Sequence, residues 1–304
     1  MFCFVILHYI SLEETTAFVE NIQNHVKGDK EIIIVDNASP NGSGKALLDL
    51  YDTVPNVTVL LNHKNEGFAK GNNRGYQYAK EHFNPKFIAI ANNDIELPQP
   101  DFIELVEKIY EEEDFAVLGP QIYSTNEKRY QSPKRLTLYS KDEVEREYEN
   151  YKKKRDSKYI VPLRAQLKRW NFLKFLVHKR RERFSSIDVN KSYTNPIIHG
   201  SFLIVSEKFI AKRDVAFYDK TYMYFETEIL AYQCEQLGLK VIYSPKIKVL
   251  HHHSISTRKT LQNELKKVRF MNNAICDSLE RYLELLEEDG QQPDLTSNII
   301  LRNK

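Results

Sequence analysis

Within its first 118 residues the chain repeats one unit: a short apolar run, an abrupt polar cluster, then a stretch with helical spacing of apolar residues. The apolar runs lie near 2–7, 31–35, 57–61, 86–91 and 115–118, and the helical stretches near 12–26, 43–52, 68–82 and 99–112. Apolar runs of this length are read as strands buried on both faces, and strands alternating with helices pair in parallel. The unit predicts an open, mostly parallel sheet flanked by helices on both faces. Ligands of such sheets bind beyond the carboxyl ends of the strands. The polar clusters stand at that edge.

The first run ends at His8-Tyr9, and the second at Asp36-Asn37-Ala38-Ser39-Pro40-Asn41-Gly42-Ser43, a turn that opens the next helix. The third ends in residues 62–66 and leads into Gly67-Phe68-Ala69-Lys70-Gly71-Asn72-Asn73-Arg74-Gly75. The glycines at 67, 71 and 75 are expected to let the backbone turn sharply or approach a ligand. The fourth ends in Asn92-Asn93-Asp94, which places Asp94 to hold a metal.

Beyond residue 118 the pattern breaks. Residues 126–190 are charged and helix-favouring with no strand signal, and read as an insertion. The core resumes with residues 197–205. It is completed by a helix over 226–237 ending at Gly238, strands over 240–243 and 246–250, and an amphipathic helical tail from about 257 to about 288, packed on the domain or on a partner.

Val35-Asp36-Asn37-Ala38-Ser39, Asn65-Glu66-Gly67-Phe68-Ala69-Lys70-Gly71-Asn72-Asn73, Asn92-Asn93-Asp94, His199-Gly200-Ser201, Tyr224-Phe225-Glu226 and His251 together resemble glycosyltransferase family 2. The resemblance runs from the first strand to about residue 254. It implies an α/β fold of the GT-A type, a Rossmann-like, mostly parallel sheet that binds a nucleotide sugar, here with a basic helical insertion and a C-terminal helical tail. The expected organisation is a GT-A domain over 1–256, comprising a nucleotide-binding half (1–120), the insertion (126–190) and an acceptor half (191–256), followed by an extension over 257–304. The resemblance is nearest to enzymes that build bacterial cell-surface polysaccharide such as capsule.

The donor, a UDP-sugar in first place, is expected to contact His8, Tyr9, Asp36, Asn37, Ser39, Asn65, Gly67, Asn72, Asn92 and Asn93, with Asp36 accepting from base or ribose. Lys70 and Arg74 are placed to meet base or phosphate, and Arg258 and Lys259 to neutralise diphosphate. By the resemblance Asp94 and His251 hold a divalent metal against the diphosphate. Mn²⁺ is favoured over Mg²⁺ because it accepts imidazole as well as oxygen. The acceptor, expected to be a glycan or a lipid-linked glycan, is assigned to His199, Gly200 and Ser201.

Inverting transfer needs a carboxylate to take the acceptor's proton. Family members usually present Glu-Asp where this chain has Glu226-Thr227-Glu228. The base role therefore falls to Glu226 or Glu228, and residues i and i+2 of a helix do not share a face. Glu226 is favoured, since burial against Tyr222-Met223-Tyr224-Phe225 would raise its pKa. A binding subunit that has lost its base, or a sugar nucleotidyltransferase, are the alternatives; the latter lacks a Gly-rich basic loop after strand one. No Gly-x-Gly-x-x-Gly follows that strand, which argues against a redox dinucleotide protein.

The net charge of +2 hides an asymmetry: residues 151–184 carry +11 and the remainder −9. Leu163, Leu167, Trp170 and Val177 recur at helical spacing among these cations. The segment reads either as a helix lying on an anionic membrane surface or as one packed on the domain with a solvated basic face. Its apolar residues form a stripe rather than stacking platforms, so nucleic acid is not an expected partner. Three scattered cysteines and no signal-peptide pattern lead to the expectation of a cytoplasmic protein, with a peripheral place at the inner face of the plasma membrane if the basic helix binds there.

Overall fold

The structure is a computed structural model and describes residues 1–156, 187–252 and 264–290. The first half follows the expected alternation: β1 (Phe2–His8), α1 (Leu12–His25), β2 (Lys30–Asp36), α2 (Ser43–Tyr51), β3 (Val57–Leu61), α3 (Gly67–Phe83) and β4 (Phe87–Asn92). A short β5 (Ile95–Glu96), α4 (Phe102–Glu113) and β6 (Val117–Ser124) follow. Then come β7 (Arg129–Tyr130), α5 (Lys141–Asp156), β8 (Tyr193–Thr194), β9 (Phe202–Ser206), α6 (Glu207–Lys212), α7 (Glu226–Gln236), β10 (Val241–His251) and α8 (Glu264–Glu288).

The strands form one mostly parallel sheet in the order β3-β2-β1-β4-β9-β6-β10-β5, with β7 on β6 and β8 on β10. β1 runs parallel to both β2 and β4, and β2 to β3. The fifth predicted strand does not extend this set directly. β9 lies between β4 and β6, antiparallel to both. Every residue of β9 is buried, which only a central position provides.

Two sequence expectations change. The strands predicted at 240–243 and 246–250 are one strand, β10, whose register on β6 shifts between Ser244 and Lys248. Pro245 lies in that interval and has no N–H to give the ladder, so pairing lapses there while the direction holds. Residues 126–190, expected to lack strands, begin with β7, which pairs antiparallel with β6. The stretch at 163–177 and the cations Arg258 and Lys259 lie outside the described residues.

Side chains alternate across the sheet as strand geometry requires. Phe2, Phe4 and Ile6 of β1 pack with Phe18, Val19 and Ile22 of α1 and with Phe102 and Val106 of α4. Cys3 and Val5 face α3 (Ala69, Tyr76, Ala79) and Leu230 and Cys234 of α7 on the other side. Each buried large apolar side chain contributes about 1.5–3 kcal/mol, so both faces are held and the sheet edge beyond them is fixed. A third, tyrosine-rich cluster joins α5, α7 and α8 through Val144, Tyr232, Leu279 and Tyr282. The C-terminal helix is therefore packed on its own chain. All three cysteines are buried and unpaired, and among the described residues no helix is long and apolar enough to cross a membrane.

Gly71 and Gly75 set how closely α3 approaches β1, a packing role the sequence did not disclose. A Cβ at Gly71 would lie 2.6 Å from Leu7 Cδ1, and one at Gly75 would lie 2.4 Å from Val5 Cγ1 and 2.8 Å from Val35 Cγ2. Helix propensity favours alanine over glycine by about 1 kcal/mol, whereas overpacking a core costs about 1–3 kcal/mol. Gly75→Ala is therefore expected to destabilise the protein in urea unfolding. A midpoint that rises would show that α3 can back away from the sheet.

Candidate active site

In-register pairing places His8 beside Asp36, and Leu7 beside Asn92, at one edge of the sheet. Much of the polar material flagged there is buried bracing. His8 has no exposed surface; its Nδ1 lies 2.6 Å from Thr15 Oγ1 and its Nε2 2.8 Å from Ser43 Oγ. Burial, opposed by nearby Asp36, lowers its pKa to about 4, so the ring is neutral. Asn93 donates to Thr15 Oγ1 at 2.9 Å, and Asn72, fully buried, donates to Phe68 O at 2.9 Å. Asn37 Oδ1 accepts from Asn62 and from the Glu66 amide, while its Nδ2 donates to Asn65 Oδ1 and Gly67 O. Arg74 Nη1 donates to Leu61 O at 2.8 Å and to Asn62 Oδ1.

Asp36 is buried and accepts from the Ser39 amide at 3.2 Å, with Gly44 packed so closely that a Cβ there would strike the carboxylate. Tyr9, Ser39, Asn65, Asn92, His199 and Gly200 keep accessible surface and form the rim. Gly67 has φ +81° and its amide donates to Asn65 Oδ1 at 3.0 Å; a Cβ there would fall 2.3 Å from Tyr222 O. The Tyr222 hydroxyl donates to Asn65 Oδ1 at 3.1 Å.

Asp94 follows β4 and His251 ends β10, more than 150 residues apart in the chain. The His252 amide donates to Asp94 O at 2.9 Å and fixes the two segments together. Asp94 Oδ1 then lies 3.3 Å from His251 Nε2, both side chains deeply buried. Two ligands at right angles on an octahedral ion, each about 2.1 Å from it, are about 3.0 Å apart. A carboxylate oxygen and an imidazole nitrogen at this spacing fit a divalent cation. Among the described residues no group of three or more His, Cys, Asp or Glu could hold a metal.

Beside this pair opens a cleft lined by Asn92, His199, Gly200, Ser201, Phe68, Lys134, Ile275 and residues 223–228. The His199 and His251 rings are 6.0 Å apart. The Ser201 amide donates to His199 Nδ1 at 3.2 Å, which makes that nitrogen an acceptor. Among the described residues no atom demands glycine at position 200, since a Cβ there would meet Thr227 Cγ2 at 3.4 Å.

The expectation that only one glutamate reaches the site is corrected. Glu226 and Glu228 both lie in the first turn of α7, and the cleft wraps that helix end, so both line it. They are held differently. Lys134 Nζ bonds Glu228 Oε1, and Thr227 Oγ1 donates to Glu228 Oε2 at 3.2 Å. Glu226 Oε1 is buried with no hydrogen-bond partner. Desolvation, with Glu228 adding repulsion and Lys134 opposing, raises the Glu226 pKa from 4.5 to about 7. The turn before it is strained: Tyr224 and Phe225 both have left-handed φ, 76° and 64°. The Phe68 amide donating to Tyr222 O at 2.7 Å and Ser278 Oγ donating to Met223 O at 2.9 Å hold it in place.

Residues 3–210 match the family model for Glycosyl transferase family 2. The chain belongs to that family. Its fold is the GT-A arrangement, like that of S. aureus TarS 1–349 (TM-score 0.52, 10% identity, covering 95% of this chain and 73% of that one). It is similarly like the mannosyltransferase PcManGT from Pyrobaculum calidifontis in complex with GDP-Man and Mn²⁺ (0.52, 12%, 96% and 76%). GalNAc-T7 with UDP, GalNAc and Mn²⁺ also aligns (0.52, 12%), over 83% of this chain and 43% of that one. This chain covers 41% of TarS in the longer TarS structure. No curated protein sequence matches it.

Within this family 2 site, sequence reading missed Gln131, Lys134 and Ile275. The first two belong to a charged stretch whose cations carry no periodic signal, and Ile275 arrives from the C-terminal helix. The Glu226 environment also has a stability consequence. A carboxyl whose folded pKa lies above its unfolded value binds more protons when folded, so its contribution to stability is lost as pH rises from about 4.5 to about 7. Glu226→Gln should remove that component: the loss of unfolding free energy between pH 5 and pH 8 should be smaller by about 1–3 kcal/mol than in wild type. Parallel pH profiles for the two proteins would mean the carboxylate is solvated.

Proposed function

We propose that this protein is a metal-dependent, inverting glycosyltransferase that moves a sugar from a nucleotide sugar, UDP-linked in first place, to a glycan acceptor. The observation that carries the reading is the adjacency of two units on one sheet edge: the Asp94–His251 pair, and a cleft in which, among the described residues, Glu226 offers a carboxylate oxygen with no hydrogen-bond partner. Structural neighbours crystallised with UDP or GDP-Man and Mn²⁺ support the donor class and the metal. Family membership supports the reaction type.

Asp94 and His251 would hold the cation, with Mn²⁺ favoured over Mg²⁺ because one ligand is imidazole. Such an ion neutralises charge developing on a diphosphate leaving group. The rim groups Tyr9, Ser39, Asn65 and Asn92, with the buried Asp36 behind them, bind and orient the nucleotide sugar, on the buried framework of His8, Asn37, Gly67, Asn72 and Asn93. Glu226 accepts the acceptor hydroxyl proton as that oxygen bonds to the anomeric carbon. The bond from that carbon to phosphate breaks, and its electron pair leaves on the nucleoside diphosphate. Inversion follows from attack opposite the leaving group. Lys134 and Thr227 occupy both oxygens of Glu228, which leaves Glu226 as the base. His199, Gly200 and Ser201 face the acceptor. The catalytic unit spans 1–256, with 257–304 as an extension.

The test is a screen of nucleotide sugars with Mn²⁺ and candidate glycans, reading nucleoside diphosphate release. Asp94→Ala should lose metal-dependent UDP affinity, whereas Glu226→Gln should keep it and lose about 10²- to 10⁴-fold in transfer. Wild-type transfer should rise with pH through about 7, where the base ionises, and the variant should lack that limb. Donor binding without turnover in wild type would favour a binding subunit that has lost its base at Thr227. Full transfer by Glu226→Gln would move the base elsewhere.

We also propose that the acceptor is lipid-linked, in cell-surface polysaccharide synthesis such as capsule, and that the protein works at the cytoplasmic membrane face through residues 151–184. The charge of +11 in that segment supports this: each Lys or Arg near an anionic surface contributes about 1 kcal/mol. Replacing Lys168, Arg169 and Lys174 with Glu should release the protein from anionic liposomes while leaving transfer to water-soluble acceptors nearly unchanged. Equal sedimentation of both proteins would assign the segment to internal packing.

A further inference from the structure

We infer that Gln131 is a positioning residue for the metal pair: it sets the tautomer and orientation of His251 so that the Nε2 lone pair faces Asp94. The inference rests on reading Asp94 and His251 as metal ligands and adds a residue outside the motifs that define the family resemblance. Gln131 follows β7 directly, 120 positions before His251.

The geometry is specific. His251 Nδ1 and Gln131 Oε1 are 2.7 Å apart. An amide oxygen has no proton to give, so the imidazole is the donor and carries its hydrogen on Nδ1. A neutral ring protonated there has its remaining lone pair on Nε2, the atom 3.3 Å from Asp94 Oδ1. In that form the Nε2 lone pair is directed at the carboxylate oxygen, and a divalent cation bound by both atoms would satisfy the two together. The arrangement is poised for a metal in the way that ligating histidines usually are, with the second ring nitrogen bound to an acceptor.

Backbone contacts fix the glutamine. The Gln131 amide donates to Ile122 O at 2.9 Å, which locks it to β6 in the register that also aligns Ser124 with His251. The side chain therefore meets the imidazole from a strand-like segment pinned to the same sheet. Loss of the amide oxygen would free the ring to turn or to carry its proton on Nε2, where it would block the metal.

The test uses the full-length protein with Mn²⁺, at saturating UDP, and reads Mn²⁺ affinity by calorimetry. Gln131→Leu should weaken Mn²⁺ by about 10- to 100-fold, with UDP affinity in EDTA unchanged. Gln131→Glu retains an acceptor and cannot donate, so it should bind Mn²⁺ at least as tightly as wild type. His251→Ala and Asp94→Ala mark full loss of the site. If Gln131→Leu binds Mn²⁺ like wild type while those two variants lose it, the role of Gln131 is wrong and the metal assignment stands. If all three bind normally, the metal assignment fails and takes this inference with it. A Gln131→Glu protein as weak as Gln131→Leu would overturn the acceptor role. Thermal unfolding without metal separates these outcomes from misfolding: the Gln131→Leu protein is expected to melt with wild type.

Discussion

The site depends first on the parallel, in-register pairing of β1 with β2 and β4. That register brings His8 level with Asp36 and Leu7 level with Asn92. It is locked by side chains that alternate into two separate cores, because a slip of one residue would exchange Phe2, Phe4 and Ile6 with Cys3 and Val5. The polar residues after each strand inherit their positions from that lock. Their buried hydrogen bonds then set the loops: His8, Asn37 and Asn93 each bind groups from other loops or helices. An unsatisfied buried amide or imidazole costs about 1–3 kcal/mol, so these networks resist rearrangement.

The acceptor side shows a different balance. Where family members usually carry Glu-Asp, the helix starts Glu226-Thr227-Glu228, and three consecutive buried side chains share one cleft. Two carboxylates so close would repel if both were ionised and unpaired. Lys134 and the Thr227 hydroxyl bind Glu228, and the desolvated Glu226 carries the raised pKa. Thr227 thus acts as a hydrogen-bond donor. It contributes to separating the two acids even though it cannot be a base.

Strand existence in the first half, the end of each strand and the placement of Asp94 were legible because they rest on local apolar runs and their limits. The central, antiparallel position of β9 was not, since its neighbours β4 and β6 are chosen by burial across the sheet. The partners of individual polar side chains were not legible: Asn72 and Arg74 of α3 and Asn93 after β4 bond to Phe68 O, Leu61 O and Thr15 Oγ1. Lys134 reaches Glu228 across 94 residues and Gln131 reaches His251 across 120. No local pattern distinguishes such residues from their neighbours. Only the fold brings them in.

Both of these long reaches come from one short segment with a pinned backbone. The Gln131 amide is tied to Ile122 O, the Lys134 amide donates to Ile197 O at 2.7 Å, and the Ile197 amide returns to Arg135 O at 2.8 Å. Residues 131–135 are therefore held like a strand, and the reach of each side chain is set by backbone register more than by its own rotamers. This explains how Glu226 can remain buried with an empty acceptor position. A free loop would relax to hydrate or pair that oxygen. Here Lys134 is occupied by Glu228, while the strained turn at Tyr224 and Phe225 is fastened to α3 and α8. Backbone hydrogen bonding at Glu226 and Tyr224 reaches the carboxyl group, while Oε1 keeps the unsatisfied position that a proton acceptor needs.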